Sequence, residues 1–291
     1  MASYNISSVA ADGLNIFYRE AGPTDAPVIL LLHGFPSSSH QFRNLIPLLA
    51  AAYHVIAPDL PGFGFTEVPN SRAYPYTFDS IATSIEAFLD ALSIKKFSPY
   101  IFDYGAPTGL RLALRRPEAV QAIFSQNGNA YDEGLGAFWD PLKEFWKGDG
   151  LNISLREAIT ASTLTLDATK GQYLTGTVNP NSTIAPETYT LDQALLDRPG
   201  QTDIQLGLFY DYRKNVEMYP QFQEYFRKSQ VPLIAFWGKN DPIFIPAGAE
   251  AFKKDLPNAE IHLLDAGHFA VESNTKEIAN LMLGFLKKNG I

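Results

Sequence analysis

The stretch Tyr100-Ile101-Phe102-Asp103-Tyr104-Gly105-Ala106-Pro107-Thr108-Gly109 constrains this chain more than any other. Apolar, strand-like residues run into a single aspartate. The residues after it are small enough for a sharp turn, and Leu110-Arg111-Leu112-Ala113-Leu114 then reads as helix. An aspartate on such a turn, with an ordinary pKa of about 3.9, is expected to be anionic at neutral pH and to attack carbon without help from a base. A carboxylate is a poor nucleophile toward amides and ordinary esters. Its useful reaction is displacement at a saturated carbon that bears a halide or belongs to a strained epoxide.

Short apolar strand candidates alternate with helical patterns around this turn: Val28 to Leu32, Val55 to Ala57, Tyr100 to Phe102 and Ala119 to Ser125. The alternation predicts an α/β fold, a mostly parallel sheet covered by helices. Ile81, Ile85, Phe88, Leu89 and Leu92 fall at helical spacing between Thr77 and Leu92 and predict a helix packed on that sheet. After Asn129 the pattern gives way to a stretch rich in aromatics, Gly, Thr and Pro that lasts to about Gln230. Alternation returns with strand Leu233 to Trp237, a helix near Ala247 to Lys254, strand Ile261 to Leu264 and an amphipathic helix from Thr275 to Lys288. The expected organisation is a core of residues 1–129 and 231–291 carrying an inserted lid, residues 130–230.

At 291 residues, with 46% hydrophobic and 13% aromatic content, the chain can bury one large core. The net charge of -8 comes without a basic surface, so neither nucleic acid nor anionic lipid is an expected partner. Without cysteine there is no disulfide, thiol catalysis or zinc-thiolate site, and neither metal nor cofactor is expected. Met1-Ala2-Ser3-Tyr4-Asn5 lacks a basic region followed by an apolar run, and Val28 to Leu32 is too short to span a bilayer, so the expectation is a cytoplasmic protein. Asn5-Ile6-Ser7, Asn152-Ile153-Ser154 and Asn181-Ser182-Thr183 match the glycosylation pattern and read as chance.

Position sorts the five histidines. His54 and His262 lie in strand candidates and His40 opens a helix, so all three read as structural. His268, in Asp265-Ala266-Gly267-His268-Phe269, follows the last strand, at the carboxyl edge where ligands bind in open α/β sheets. It is the expected base. The carboxylate best placed to hold its tautomer is Asp241, in Gly238-Lys239-Asn240-Asp241-Pro242 after the preceding strand. Asp265 is a rival whose expected role is to shape the loop. His33-Gly34-Phe35-Pro36 ends the first apolar strand abruptly, and the backbone N–H groups of Phe35 and Tyr104 are the expected oxyanion hole. Asp59-Leu60-Pro61-Gly62-Phe63-Gly64-Phe65-Thr66 lacks a Gly-Lys-Ser/Thr ending and reads as a turn beside the site.

With these motifs in order, the chain resembles the α/β-hydrolase superfamily along nearly its whole length, and its aspartate turn resembles that fold's nucleophile elbow. It is most similar to the branch of epoxide hydrolases and haloalkane dehalogenases. The resemblance implies an alkyl-enzyme ester on Asp103, with His268 as base and Asp241 as its partner. Asn127 stands where some dehalogenases hold their acid. Haloalkane dehalogenases commonly hold halide with an Asn after His-Gly and a Trp after the nucleophile, where this chain has Phe35 and Tyr104. Asp211-Tyr212-Arg213 resembles the segment holding an epoxide hydrolase lid tyrosine, which implies Tyr212 as acid. The region of the other lid tyrosine offers Phe145 and Trp146, and these with His33 are the expected pocket. Fluoroacetate dehalogenases carry arginines around the elbow, where this chain has Tyr104 and Pro107, so a haloacid is not expected.

The expected reaction is hydrolysis of a small, neutral organic epoxide to a vicinal diol. A haloalkane processed by the same cycle is the alternative, with Trp146, Tyr104 or Tyr212 holding halide. A non-hydrolytic binding protein or isomerase on this fold is the second alternative. Tyr131, Phe138, Trp139, Tyr173, Phe209, Tyr210 and Tyr219 are expected to pack the lid and make the pocket mostly apolar.

Overall fold

The computed structural model describes residues 4–291, so Met1-Ala2-Ser3 of the N-terminal reading lie outside the described residues. One eight-stranded sheet runs through it in the order β1-β2-β4-β3-β5-β6-β7-β8. Its strands are β1 Asn5–Ala11, β2 Leu14–Ala21, β3 Val28–Leu32, β4 His54–Pro58, β5 Ser98–Phe102, β6 Ile123–Gln126, β7 Leu233–Gly238 and β8 Glu260–Leu264. The pairs from β4 to β8 are parallel, whereas β1 with β2 and β2 with β4 are antiparallel. The chain is thus the expected α/β fold, with a mostly parallel sheet flanked by helices.

Alternate residues of β3 serve opposite faces. Leu30 and Leu32 join the cluster containing Ile81, Ile85 and Phe88 of the helix Phe78–Ala91. Ile29 and Leu31 join the cluster containing Ile278, Met282 and Phe285 of the helix Thr275–Asn289. Burial on both faces is why these strands read as continuous apolar runs rather than alternating ones. The hairpin β1–β2 did not stand out in sequence because β1 is mostly exposed and the buried residues of β2 are interrupted by polar ones, so neither is a continuous apolar run. Its turn is Asp12-Gly13, both at positive φ (51° and 72°), the geometry a two-residue loop needs to match strand twist.

The predicted strand from Ala119 begins later, at Ile123, because Pro117–Ala119 forms a 3-10 turn. His40 lies second in a 3-10 turn, Ser39–Phe42, rather than opening a helix, and the predicted helix from Ala247 ends at Ala251 with a 3-10 extension to Lys254. Between β6 and β7 the chain forms the helices Asp140–Trp146, Ile153–Thr163, Leu166–Leu174, Pro180–Thr183, Pro186–Leu196, Gln201–Asp211 and Arg213–Ser229, and contains no strand among the described residues. No helix there or elsewhere among the described residues is long and apolar enough to cross a membrane.

β3 is the strand at which the connections diverge. The chain leaves it for β4 on one side, and β5, its other neighbour, leads on to β6. A crevice opens at the carboxyl ends of strands flanking such a switch point. The loop after β3 begins at His33, and the residue after β5 is Asp103.

Candidate active site

Asp103 has φ 47°, a left-handed conformation that costs a non-glycine residue strain and turns its side chain out of the strand. Two glycines allow the neighbouring backbone to come close. A Cβ on Gly34 would lie 2.4 Å from both Cβ and Oδ1 of Asp103, and one on Gly105 would lie 2.2 Å from the Leu32 carbonyl oxygen. That proximity lets the Phe35 N–H donate to Asp103 Oδ1 at 2.6 Å. The Tyr104 backbone N–H also works to lower the pKa of the Asp103 carboxylate.

The carboxylate is buried, and burial raises its pKa to about 6, against the pull of His268 and of the Phe35 and Tyr104 N–H groups. This corrects the ordinary carboxylate value expected from sequence: the anion still predominates at neutral pH, by a narrower margin.

His268 Nδ1 donates to Asp241 Oδ2 at 2.8 Å, which leaves Nε2 facing Asp103 Oδ2 at 4.0 Å. Burial works against the imidazolium, but the charges of Asp241 and Asp103 outweigh it and raise the His268 pKa. Asp241 is fixed on three sides: Oδ1 accepts from the Ile243 N–H at 2.7 Å, and Oδ2 accepts from Asn127 Nδ2 at 2.7 Å as well as from His268. Asn127 is itself held by the Gly238 N–H on its Oδ1 at 3.0 Å. Gln126 Nε2 donates to the His268 carbonyl oxygen at 2.7 Å. The part played by Gln126 was missed in the sequence. Its only signal was a long polar side chain at the end of the strand Ile123-Phe124-Ser125-Gln126.

Asp265 is exposed and accepts from Asn240 and Lys239 at the surface of the loop, away from the imidazole. His33 turns its ring into the backbone. Nε2 accepts from the Leu60 N–H at 2.9 Å, so Nδ1 carries the proton toward Gly34 O at 3.1 Å, and burial lowers the pKa of this neutral ring. His33 thereby ties the loop after β3 to the Asp59 turn, and Asp59 accepts from the Ser39 and Phe65 N–H groups, both at 2.7 Å.

Tyr212 lies in an aromatic nest. Its ring stands 5.9 Å from Tyr104, 5.6 Å from Phe78, 4.5 Å from Trp139 and 6.2 Å from Trp146, which stacks on it. The hydroxyl is fully buried beside that of Tyr219 and makes no well-formed hydrogen bond. Trp146 is less available: its indole N–H donates to the Phe209 carbonyl oxygen at 2.7 Å. Phe145 is buried against Tyr210. A cavity of about 160 Å³ reaches His268 between Phe138, Thr163, Gly171, Thr175 and Ile243. A larger groove of about 720 Å³, lined by Leu114, Glu118 and Lys228 among others, contains none of these site residues.

A carboxylate on a strained turn, a histidine–aspartate pair facing it and two backbone donors, all at the carboxyl edge of this sheet, define a hydrolase-type enzyme of the α/β-hydrolase fold. The family model described as alpha/beta hydrolase fold matches residues 27–275, and the chain belongs to that family. The uncharacterized hydrolase YNR064C of Saccharomyces cerevisiae is 50% identical over 279 residues, covering 96% of this chain and 95% of the relative. A haloalkane dehalogenase of Psychrobacter cryohalolentis is 27% identical, covering 95% and 88%. The crystal structure of the epoxide hydrolase CorEH matches with a TM-score of 0.79 at 21% identity, covering 98% of this chain and 99% of that one, a likeness of fold.

Proposed function

We propose that the protein hydrolyses a neutral organic epoxide to a vicinal diol through an ester on Asp103. The observation that carries this reading is a buried carboxylate at the elbow together with a buried hydroxyl, Tyr212, that lies beside the Tyr219 hydroxyl and makes no well-formed hydrogen bond. Oδ1 of Asp103 already accepts from backbone N–H, so Oδ2 is the attacking oxygen. It forms a bond to an epoxide carbon, the carbon–oxygen bond of the ring breaks, and the departing oxygen keeps the electron pair and takes the Tyr212 proton. Residues 130–230 act as the lid that keeps bulk water from the ester.

Water then attacks the ester carbonyl carbon while His268 Nε2 takes its proton. The charge that develops on Oδ1 falls between the Phe35 and Tyr104 N–H groups, donors worth about 10² to 10³ in rate each when aimed at such charge. Collapse releases the diol and restores the carboxylate. The proton held by His268 returns through solvent to the Tyr212 phenolate, and the sum is epoxide plus water giving diol.

A haloalkane is the second reading, favoured by the likeness to the Psychrobacter dehalogenase. Against it stands the Trp146 N–H, already bonded to Phe209 O, and Phe35 in the place of a side-chain donor. Intact-protein mass spectrometry of His268→Ala after exposure to epoxides and haloalkanes separates the two. The expected result is a mass gain equal to a whole epoxide, mapped to Asp103. A gain equal to the alkyl group without halogen establishes the second reading. No adduct from any compound, with the fold intact, overturns both and favours a non-hydrolytic role.

A further inference from the structure

The residues that flank the base and its acid are met by one short piece of chain, Tyr173 to Gly176, at the end of the helix Leu166–Leu174. Phe269, after His268, is fully buried, and the Tyr173 ring stacks on it with centroids 3.8 Å apart and planes 13° apart. Gly267, before His268, comes so close to Thr175 that a Cβ there would lie 2.0 Å from the Thr175 carbonyl oxygen. Asn240, before Asp241, donates from Nδ2 to the Gly176 carbonyl oxygen at 3.0 Å and to Asp265 Oδ1 at 3.0 Å. Gly176 has φ 77°, and a Cβ on it would lie 2.5 Å from the Asn240 carbonyl oxygen, so the two backbones touch.

This piece is itself held from behind. The Tyr173 hydroxyl donates to Asp192 Oδ2 at 2.5 Å and Thr169 Oγ1 donates to Gln193 Oε1 at 2.8 Å, which joins the helices Leu166–Leu174 and Pro186–Leu196 at two points. Thr177 Oγ1 donates to the Tyr173 carbonyl oxygen at 2.8 Å and fixes the turn that follows. Asp192 is buried, and Arg43, whose charge it feels, is taken up by Glu272 through bonds of 2.6 and 2.9 Å. Burial, helped by the charge of Glu272, pushes the Asp192 carboxyl well above its usual range against the pull of the Tyr173 bond, so the anchor is a neutral acid that needs no counter-ion.

Asp241 and His268 both lie in loops beyond the strand ends, where the sheet does not set the backbone. A misplacement of about 1 Å at a reacting group can cost about 10² in rate. We propose that Tyr173 is a positioning residue for the base: its ring, anchored on Asp192, braces Phe269 and, with Gly176 on Asn240, keeps the loops of His268 and Asp241 in register. The inference rests on the ester reading and goes beyond it, since it applies to an epoxide and a haloalkane alike. Ester hydrolysis thus depends on this piece of the segment between β6 and β7 being docked on the two loops. Attack by Asp103 needs neither loop.

The test is a single-turnover measurement of ester formation and ester hydrolysis, by quenched-flow mass spectrometry, on native protein, Tyr173→Ala and Tyr173→Phe, using an epoxide or haloalkane that labels His268→Ala. Tyr173→Ala should slow ester hydrolysis about 10²-fold and leave ester formation within about threefold of native. Tyr173→Phe keeps the stacked ring without its anchor, and its hydrolysis rate should fall between the two. The pH midpoint of ester hydrolysis should also drop in Tyr173→Ala, because an imidazole no longer held against Asp241 loses the charge that raises its pKa. Hydrolysis at the native rate in Tyr173→Ala overturns the proposal and leaves the ester reading standing, and so does equal slowing of both steps, the mark of general loosening. Absence of any ester in native protein and in His268→Ala overturns both. If Tyr173→Ala fails to fold, Asn240→Ala, at an exposed position, removes the tie to Gly176. Its ester hydrolysis should slow roughly threefold to tenfold with ester formation unchanged, and hydrolysis at the native rate overturns the proposal.

Discussion

Asn127 Nδ2 donates to the very oxygen of Asp241 that accepts the hydrogen bond from His268 Nδ1, at 2.7 Å against 2.8 Å. With the Ile243 N–H on the other oxygen, the carboxylate cannot swing, and the imidazole that hangs from it cannot either. The side chain that sequence placed in the position of an alternative acid thus serves the acid that is present.

Asn127→Ala should therefore loosen the histidine rather than remove it. A hydrogen bond to a charged group is worth about 1.5–3 kcal/mol, so ester hydrolysis should slow by roughly tenfold to a hundredfold. Ester formation should change little, because Asp103 attacks without His268. Rapid-mixing mass spectrometry reads both steps, and equal slowing of the two counts against this role.

The two half-reactions should separate with pH. Ester formation needs the Asp103 anion, so its rate should fall about tenfold per unit below pH 6, where the buried carboxylate takes a proton. Ester hydrolysis needs neutral His268, whose pKa in the free enzyme is raised above its ordinary 6.5 by Asp241 and Asp103 despite burial; once Asp103 is esterified, Asp241 alone opposes burial. Native protein turning over near pH 6 should carry an ester on Asp103 that is absent at pH 8. Equal ester occupancy at both values contradicts the assignment of base and nucleophile.

Asp103→Asn should abolish turnover and stabilise the fold. A carboxyl whose folded pKa is raised contributes stability that is present below its unfolded value and is lost as pH rises through about 6. The variant should match native protein near pH 3.5 and exceed it by on the order of 2 to 3 kcal/mol at pH 8. Asn also tolerates the left-handed backbone at position 103. Chemical denaturation across this range checks it; a variant weaker than native protein at pH 8 sinks the idea.

Gly34→Ala should disable the oxyanion site. Its methyl group would sit 2.4 Å from Asp103, so the loop after β3 must retreat and the Phe35 N–H must leave Oδ1. Ester hydrolysis should slow by about 10² to 10³, the worth of one such donor. A loss under threefold in folded protein would show that Phe35 is not a donor in that step.

Local pattern carried much of this outcome. The apolar runs of β3, β5 and β7 are buried on both faces, and chemistry-bearing residues follow directly where each run stops: His33 to Phe35, Asp103 and Asp241. The helices Leu166–Leu174, Pro186–Leu196 and Gln201–Asp211 were not legible because polar residues such as Thr169, Asp192 and Gln205 are buried among their apolar ones, which blurs the helical period, whereas Arg213–Ser229 buries Tyr219, Phe222, Tyr225 and Phe226 on one face. Trp146 shows the remaining difficulty, since nothing in its neighbourhood along the chain predicts that a carbonyl oxygen at Phe209 claims its N–H.

By itself the sequence determined the fold class and the placing of Asp103, Asp241 and His268 after strands β5, β7 and β8, because strand ends and turn residues are local and the sheet converts their order into position. Only the tertiary structure decided which donors are free, what burial does to Asp103 and how Asn127 clamps Asp241. Hydrogen-bond satisfaction and desolvation depend on groups brought together across the chain, 114 residues apart in the case of Asn127 and Asp241.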